Sequence, residues 1–392
     1  MAGDGFAAAQ SKRDQQMSRR YPFAIIKEKL HARRDSVLDF AIGRRPVVLP
    51  KPIEDYLRAN AELALVPANR DDTDAFRAAA VDYLAREYGV TLPDDRVLPT
   101  PGGRAAMAAL IAAALSPGDK VAVTTPGYPA FARLARHGHA DVLEMPLDAD
   151  KHFAPDISSA LAFCTSPVRI VSINYPNNPT GATLSTDVVA ALSALCSQGS
   201  IVFNDATYGP LVYSEMPRSL LAEARLHVPG VELVELHSFS KLFPLGPFAV
   251  SFLAGSGPLM ESISTYSEFA WSPLSRLQLE ITSLGMRDEG RNDELRRYFP
   301  DRIRDLSDTL VKLGFEPRAT PAGVYVLCAV PKSIDGHTTV SAADAAEHLI
   351  DMFDLAVVPV DTPQGAYLRF STLYQPADLQ GLAGLQGKLQ LA

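Results

Sequence analysis

The sequence predicts an α/β fold: a large domain with a mixed, mostly parallel sheet between helices, plus a smaller α+β domain built from both chain ends. Three observations carry this. From about residue 100 to 255, short β-rich runs alternate with helical ones, and such alternation implies crossovers and hence parallel pairing. Runs such as Ile170-Val171-Ser172-Ile173 and Ile201-Val202-Phe203 are apolar rather than alternating, as strands covered on both faces are. The last third changes character, with long helical patterns followed by isolated strands.

In chain order, strands are expected at Lys120–Thr124, Val142–Met145, Val168–Asn174, Ser200–Asn204, Val231–His237 and Phe248–Ala254. Helices are expected between them at Gly103–Leu115, Tyr128–His137 and Thr186–Ser197. Downstream, Pro258–Met286 and Arg291–Leu313 read as long helices and Val324–Ala329 as a strand. Ser341 opens a further helix, with Asp344 placed for a capping-box-like contact. Val357–Val360 and Ala366–Ser371 then read as strands. The segment up to about Pro50 has no periodic pattern long enough to fold alone and is expected to pack on the C-terminal part. The expected division is a flexible tail over 1–20, the first part of the small domain over 21–55, the large domain over 56–285 and the rest of the small domain over 286–392.

The 392 residues are 47% hydrophobic and 21% charged, ordinary for a folded chain long enough to bury a large core without staples. Three scattered cysteines, Cys164, Cys196 and Cys328, give neither a disulfide framework nor metal-ligand spacing, and fit a reducing compartment. No metal site is expected. A formal net charge of −8 argues against a general nucleic-acid binder. The pairs Arg19-Arg20, Arg33-Arg34 and Arg44-Arg45 stand among acids and read as solvated surface. Met1 to Arg20 lacks the apolar core of a signal peptide, and Ala105 to Leu115 is too short to span a bilayer. A cytoplasmic protein is expected.

Three stretches at expected strand ends carry polar groups suited to chemistry. His237-Ser238-Phe239-Ser240-Lys241 places Lys241 where ligand sites of α/β sheets lie. A lysine held in a pocket can become a nucleophile toward aldehydes; taken alone, this one reads as a surface lysine after a strand. In Asn174-Tyr175-Pro176-Asn177-Asn178-Pro179-Thr180-Gly181, two prolines and a glycine stiffen a turn that can aim an Asn side chain in one direction. Val202-Phe203-Asn204-Asp205-Ala206-Thr207-Tyr208 runs from a strand into a polar end. Asp205 is there either an acid at the closed end of a pocket or a helix N-cap.

Taken in order, Asn-Asn-Pro-Thr-Gly, Asp-x-x-Tyr and Ser-x-Ser-Lys resemble the fold-type I pyridoxal-phosphate enzymes, specifically the class I/II aminotransferase family. Ala41-Ile42-Gly43, Pro117-Gly118-Asp119, Pro126-Gly127-Tyr128-Pro129 and Leu368-Arg369-Phe370 extend the resemblance from about residue 37 to the end. Each motif alone is weak; the ordered set is specific. The resemblance implies pyridoxal 5'-phosphate as cofactor, with Lys241, Asp205 and Tyr208 as catalytic residues. Lys241 would form a Schiff base with its aldehyde. Asp205 would pair with the pyridine nitrogen, because a nearby anion favours the cationic ring that serves as an electron sink. Asn178 and Tyr208 match the positions that donate to the ring's 3-oxygen, and Tyr128 resembles the aromatic that stacks on its face. Pro101-Gly102-Gly103-Arg104 opens a helix whose N-terminus suits a phosphate dianion, with Gly103 allowing close approach and Ser238 and Ser240 adding hydroxyls. Gly43 and Arg369 match substrate-binding positions. The arginine's counterpart grips an α-carboxylate bidentately, a geometry lysine cannot copy.

The sequence also departs from the family. The arginine that clamps the phosphate from eight residues beyond the lysine is replaced by Ala249. That removes a charge-assisted contact contributing about 1.5–3 kcal/mol. Arg104 is expected to supply the missing cation, with Arg276 of a partner subunit as the alternative. A tyrosine that relatives carry near Val66-Pro67-Ala68-Asn69-Arg70 has no counterpart, leaving Asn69 or Arg70 to substitute. Asp72-Thr73-Asp74-Ala75-Phe76-Arg77 stands in place of the family's Gly-x-Pro-x-Leu-Arg, and Arg44-Arg45 follow Gly43 in place of an acid and a proline. Those arginines either line the substrate entrance or face water.

The expected reaction is transamination of an L-amino acid with ping-pong kinetics, Lys241 being the positioned base for the α-proton. The same fold also supports β- or γ-elimination or replacement, C–C bond formation and oxidation, and these stand as the alternative. A non-catalytic regulatory member would typically have lost Lys241 or gained a DNA-binding domain. A nicotinamide dehydrogenase is disfavoured, because no Gly-x-Gly-x-x-Gly follows an expected strand. The resemblance implies a homodimer with shared active sites, acting on a small-molecule amino acid.

Overall fold

The computed structural model describes residues 22–33, 37–42, 48–151, 153–156, 167–195, 199–223, 226–243, 248, 250–362 and 365–392. Gly43, Arg44, Arg45, Cys164, Cys196, Ala249 and the expected tail lie outside the described residues.

A short strand β1 (Leu38–Asp39) precedes the strands of a large sheet: β2 (Val97–Thr100), β3 (Lys120–Thr125), β4 (Asp141–Asp148), β5 (Ala154–Pro155), β6 (Ile170–Ile173), β7 (Ile201–Asp205), β8 (Glu232–Ser238) and β9 (Ser251–Gly255). Their order is β2-β9-β8-β7-β6-β3-β4-β5. The run from β4 to β8 pairs in parallel, while β9, β2 and β5 join antiparallel at the flanks. This is the mixed, mostly parallel sheet that the sequence predicts.

The sheet is covered on both faces because its central strands are apolar on both. In β7, Val202 faces one core with Phe76, Leu84 and Phe252, while Ile201 and Phe203 face a second with Met107, Leu110 and Phe131. Phe203 stacks on Phe131 with ring centroids 5.0 Å apart. After α1 (Pro22–Ala32), the helices that contribute to these faces are α2 (Lys51–Ala59), α3 (Arg70–Tyr88), α4 (Gly103–Ala114), α5 (Ala130–His137), α6 (Thr186–Leu195), α7 (Leu259–Ala270) and α8 (Arg276–Arg287).

A third core joins the two chain ends. It holds Ile26, Leu30 and Phe40 from the first and Leu306, Val326, Leu349 and Phe370 from the second. The elements are α9 (Arg291–Lys312), β10 (Tyr325–Ala329), the hairpin β11 (Ser333–Ile334) with β12 (His337–Thr338), α10 (Ala342–Phe353), β13 (Leu355–Ala356), β14 (Val358–Thr362), β15 (Gly365–Ser371) and α11 (Pro376–Ala383). Strands β10, β15 and β14 form an antiparallel sheet in that order. β1 pairs in parallel with β13, and Lys29 on α1 bonds Asp351 on α10 at 2.6 Å.

Local chemistry explains where the elements differ from expectation. Pro258–Met286 is expected as one helix but forms α7 and α8. Ser272-Pro273 interrupts it, since Pro273 has no N–H to continue the ladder, and Ser275 caps α8 in a capping box with Gln278. Strand β2 is absent from the sequence reading because Pro99 lies inside it; it sits at the sheet edge, where a missing N–H is tolerated. Helix α1 was also unforeseen. At α10, Ser341 accepts from the Asp344 N–H at 3.1 Å, while the Asp344 carboxylate reaches the N–H of Val340 at 3.0 Å, one residue short of a full box.

Candidate active site

Strands β3, β6, β7 and β8 end side by side at Thr125, Ile173, Asp205 and Ser238. Because β4 lies on the other side of β3 from β6, the chain reverses its direction of travel here, and a crevice opens beyond the strand ends. A cavity of about 730 Å³ occupies it. Its lining includes Gly103, Arg104, Tyr128, Asn178, Asp205, Tyr208, Ser238, Ser240, Lys241 and Arg369. Every sequence-predicted site residue that is described therefore faces one space; Gly43 lies outside the described residues.

Lys241 closes a single 3₁₀ turn, Phe239–Lys241, at the end of β8. Ser238 caps that turn, accepting from the Ser240 N–H at 3.3 Å and donating to Ser240 Oγ at 3.0 Å. The chain beyond is anchored by Arg291 on α9, whose Nη2 donates to the Leu242 carbonyl at 3.2 Å and whose guanidinium lies 5.3 Å from the Phe243 ring centroid. The lysine is thus held at a fixed strand end rather than on a free loop.

Asp205 is 6% exposed. Burial pushes its carboxyl above the usual range, against the bonds from Thr207 and the fields of His237 and Lys241. Thr207 donates twice to Oδ1, its hydroxyl at 2.5 Å and its N–H at 3.2 Å, which among the described residues leaves Oδ2 for a ligand. Behind it, Glu235 and His237 on β8 are buried, with His237 Nε2 3.4 Å from Glu235 Oε2. Burial would raise the Glu235 carboxyl, but the His237 ring and the bonds from Ser219 and Asn204 hold it below the usual range.

The Asn-rich turn after β6 is fixed by its own side chains. Asn174 donates to the Asp205 carbonyl at 2.7 Å and accepts from the Asn178 N–H at 3.0 Å, which ties the turn to β7. Asn177 accepts from the Thr180 N–H and hydroxyl at 3.1 and 2.8 Å. Gly181 has φ +73°, and a Cβ there would lie 2.8 Å from the Ala322 carbonyl oxygen, so only glycine lets this turn press against the chain entering β10. Asn178 then accepts from Arg369 Nη1 on β15 at 3.0 Å, and Nη2 donates to the Ala41 carbonyl at 3.1 Å. The buried Nε of Arg369 has no hydrogen-bond partner among the described residues.

Helix α4 begins at the cavity. Its N-cap is Gly102, at φ +94°, and no described side chain caps it; the Ala105 N–H donates to the Gly102 carbonyl at 3.1 Å, and the N–H groups of Gly103 and Arg104 are left for another acceptor. Arg104 is exposed on this turn. Tyr128 is 40% exposed at the rim. Apart from Arg104, the substitutes considered for missing family residues have these surroundings. Asn69 caps α3 in a capping box with Asp72, Arg70 lies 3.6 Å from Asp74, and Arg276 pairs with Glu280 at 2.6 Å.

Two residues of the site escaped sequence reasoning. Thr207 stands inside the Asp-x-x-Tyr motif, and its hydroxyl two residues after an acid is a recognisable Asx-type partner. Tyr325 lines the cavity from β10, bonds Tyr208 through the phenol oxygens at 3.0 Å, and lies under the Arg369 guanidinium at 4.0 Å. Its available signal was a tyrosine within the expected strand Val324–Ala329.

Comparison with known proteins bears on this arrangement. The family model for aminotransferase class I and II matches residues 50–383. The LL-diaminopimelate aminotransferase of Methanocaldococcus jannaschii is 27% identical over 88% of this chain and 82% of its own. Transaminase BacF of Bacillus subtilis is 25% identical over 80% of this chain and 79% of its own. Its substrate-bound structure superposes with a TM-score of 0.81, at 22% identity, over 93% of this chain and 94% of that one. A Thermus thermophilus aspartate aminotransferase mutant also gives 0.81, at 22% identity, over 95% of this chain and 97% of that one.

Proposed function

The chain belongs to the class I and II aminotransferases, a pyridoxal-phosphate-dependent family, and we propose that Lys241 is the amine that holds the cofactor covalently. The residues present fit that group. A buried acid with an open oxygen at Asp205 suits a cationic ring nitrogen, and an uncapped helix N-terminus at Gly102 suits a phosphate. Arg104, Ser238 and Ser240 would add a cation and two hydroxyls to the phosphate end. Asn178 and Tyr208 would hold the ring oxygen, and Tyr128 would cover the ring face. When bound, the cofactor supplies an electron sink for the charge left after an α-proton is removed.

The chain's own residues then divide the work. Arg369 binds the α-carboxylate of an L-amino acid and so fixes which bond faces Lys241. Lys241 Nζ takes the α-proton and returns a proton to complete the amino-group transfer. Asp205 stays ionised opposite a cation, since each favours the charged form of the other. One observation carries the reading: Lys241 from the turn after β8, Asp205 from β7 and Arg369 from β15 line one cavity. The relatives named as aminotransferases support transamination over elimination, C–C bond formation or oxidation.

Among the described residues no helix is long and apolar enough to cross a membrane. A cytoplasmic location and a homodimer belong to the same proposal. Supporting a dimer, Leu65 and Phe269 are exposed apolar side chains, and pairing of Pro67 with Ser275 brings their segments together. The domain division given above, with a large cofactor-binding unit over 56–285, is likewise proposed.

The test uses the purified holoenzyme. Borohydride reduction followed by peptide mass analysis is expected to leave the cofactor on Lys241; a tag on another lysine refutes the assignment. Incubation with a panel of L-amino acids should yield keto acids with the aminated cofactor. Ammonia or peroxide as the main product would overturn transamination.

A further inference from the structure

We propose that Tyr325 is a positioning residue for this reaction: its phenol donates to Tyr208 and so sets how strongly Tyr208 donates into the cavity. The proposal rests on the assignment of Tyr208 given above. Both phenols are nearly removed from water, Tyr208 at 4% exposure and Tyr325 at 7%. Their oxygens are 3.0 Å apart, and their rings meet edge-on at 74° with centroids 5.8 Å apart. The backbone holds this geometry. Tyr325 pairs with Ser371 across β10 and β15, and its carbonyl accepts from the Thr320 hydroxyl at 3.1 Å.

A phenol has one proton to give, so the direction of the bond decides what Tyr208 can do. If Tyr208 donated to Tyr325, its proton would be spent before it reached the cavity. With Tyr325 as donor, Tyr208 keeps its proton for a ligand, and each bond polarises and strengthens the next. Arg369 favours this second direction. Its guanidinium stands 4.0 Å over the Tyr325 ring centroid, and a cation on the ring face draws electron density from the phenol and makes its O–H a better donor. The same arginine bonds Asn178 at 3.0 Å. One cation therefore acts on both residues assigned to the cofactor's ring oxygen, one by direct contact and one through Tyr325.

A plain core tyrosine would fill the same space but would not change the ionisation of anything in the cavity. The experiment that separates the two titrates the visible absorbance of the holoenzyme against pH for wild type, Y325F, Y208F and the double variant. Y325F deletes one oxygen and leaves the ring beneath Arg369. A weaker Tyr208 donor stabilises the cofactor's anionic oxygen less, so the apparent pKa of the visible band should rise by about half a unit in Y325F. It should also rise in Y208F, and the double variant should match Y208F alone. If Y208F shifts the band and Y325F leaves it in place or moves it downward, the role of Tyr325 is overturned while the site assignment stands. A Y325F shift that persists without the Tyr208 hydroxyl also overturns the coupling. If neither variant moves the band, the assignment of Tyr208 and the proposal fall together.

Discussion

Arg369 and Asn178 are 191 residues apart in the chain, yet Arg369 Nη1 donates to Asn178 Oδ1 at 3.0 Å. The bond joins the strand formed near the C-terminus to the stiff turn beyond β6, across the cavity mouth. It also commits one arm of the guanidinium, while Nη2 is committed to the Ala41 carbonyl at 3.1 Å. The fork is therefore pre-aimed, and a substrate carboxylate meets an arginine that has already lost its rotamer freedom.

Replacing that arginine by lysine tests whether the fork matters. Lysine keeps the charge but cannot bond Asn178 and present two parallel donors at once. Arg369→Lys should raise KM for amino acids about 10- to 100-fold, the range equivalent to losing one charge-assisted contact. Steady-state kinetics on several amino acids would show it. An unchanged KM would remove Arg369 from the substrate site.

Arg104 is the candidate for the cation that Ala249 no longer provides. It stands exposed on the first turn of α4, beside the uncapped N–H groups, and a charge lost there should be felt by any bound phosphate. Arg104→Ala should weaken cofactor binding about 10- to 100-fold. Titration of cofactor-free protein, followed by absorbance, measures this directly. Equal affinity in wild type and variant would show that the cation comes from elsewhere.

Asp205 makes opposite predictions for the empty and loaded protein. Its carboxyl is raised by burial, so the fold holds the proton more tightly than the unfolded chain does. Its contribution is then complete below the unfolded value and is lost as pH rises through the folded one. Near neutral pH, cofactor-free Asp205→Asn should melt at or above the wild-type temperature, and that advantage should vanish toward about pH 4. With cofactor the order reverses, because removing one partner of a buried ion pair costs about 3–5 kcal/mol. Catalysis should fall by about 10²-fold or more. Melting curves of both forms at both pH values decide it; a less stable cofactor-free variant at neutral pH would count against a buried, unpaired charge.

The legible part of this molecule was the part written by local chemistry. Apolar runs announced the parallel strands, and three ordered motifs announced Lys241, Asp205 and Asn178, because each motif sits at the end of its own strand. Contacts that join distant segments were illegible. Tyr325 reads in sequence as one more core aromatic, and its bond to Tyr208 spans 117 residues. Arg291 reads as the first residue of an expected long helix, yet it is buried and bonds the Leu242 carbonyl behind the lysine turn. The edge strand β2 was hidden for a different reason: Pro99 argues against a strand unless its edge position is known.

Arg291 gives a prediction of its own. It is 4% exposed; Nη1 pairs with Glu294 at 2.6 Å, Nη2 donates to the Leu242 carbonyl at 3.2 Å, and Nε has no partner among the described residues. The Leu242 carbonyl follows Lys241 directly, so the guanidinium pins the end of the turn that presents the amine. Arg291→Met keeps much of the stem packed on Phe243 but removes the donor, leaving a buried carbonyl unpaired at a cost of about 1–3 kcal/mol. Melting temperature should drop by a few degrees with and without cofactor, since the loss is in the fold itself. Beyond that, the lysine end should wander, and capture of added cofactor should slow more than the stability loss explains. Arg291→Lys, which keeps a donor but not the fork, should recover part of the melting temperature and less of the capture rate. Stopped-flow absorbance on refilling the cofactor-free variants separates the two effects. Wild-type capture rates in Arg291→Met would reduce the arginine to a stabilising residue with no hold on Lys241.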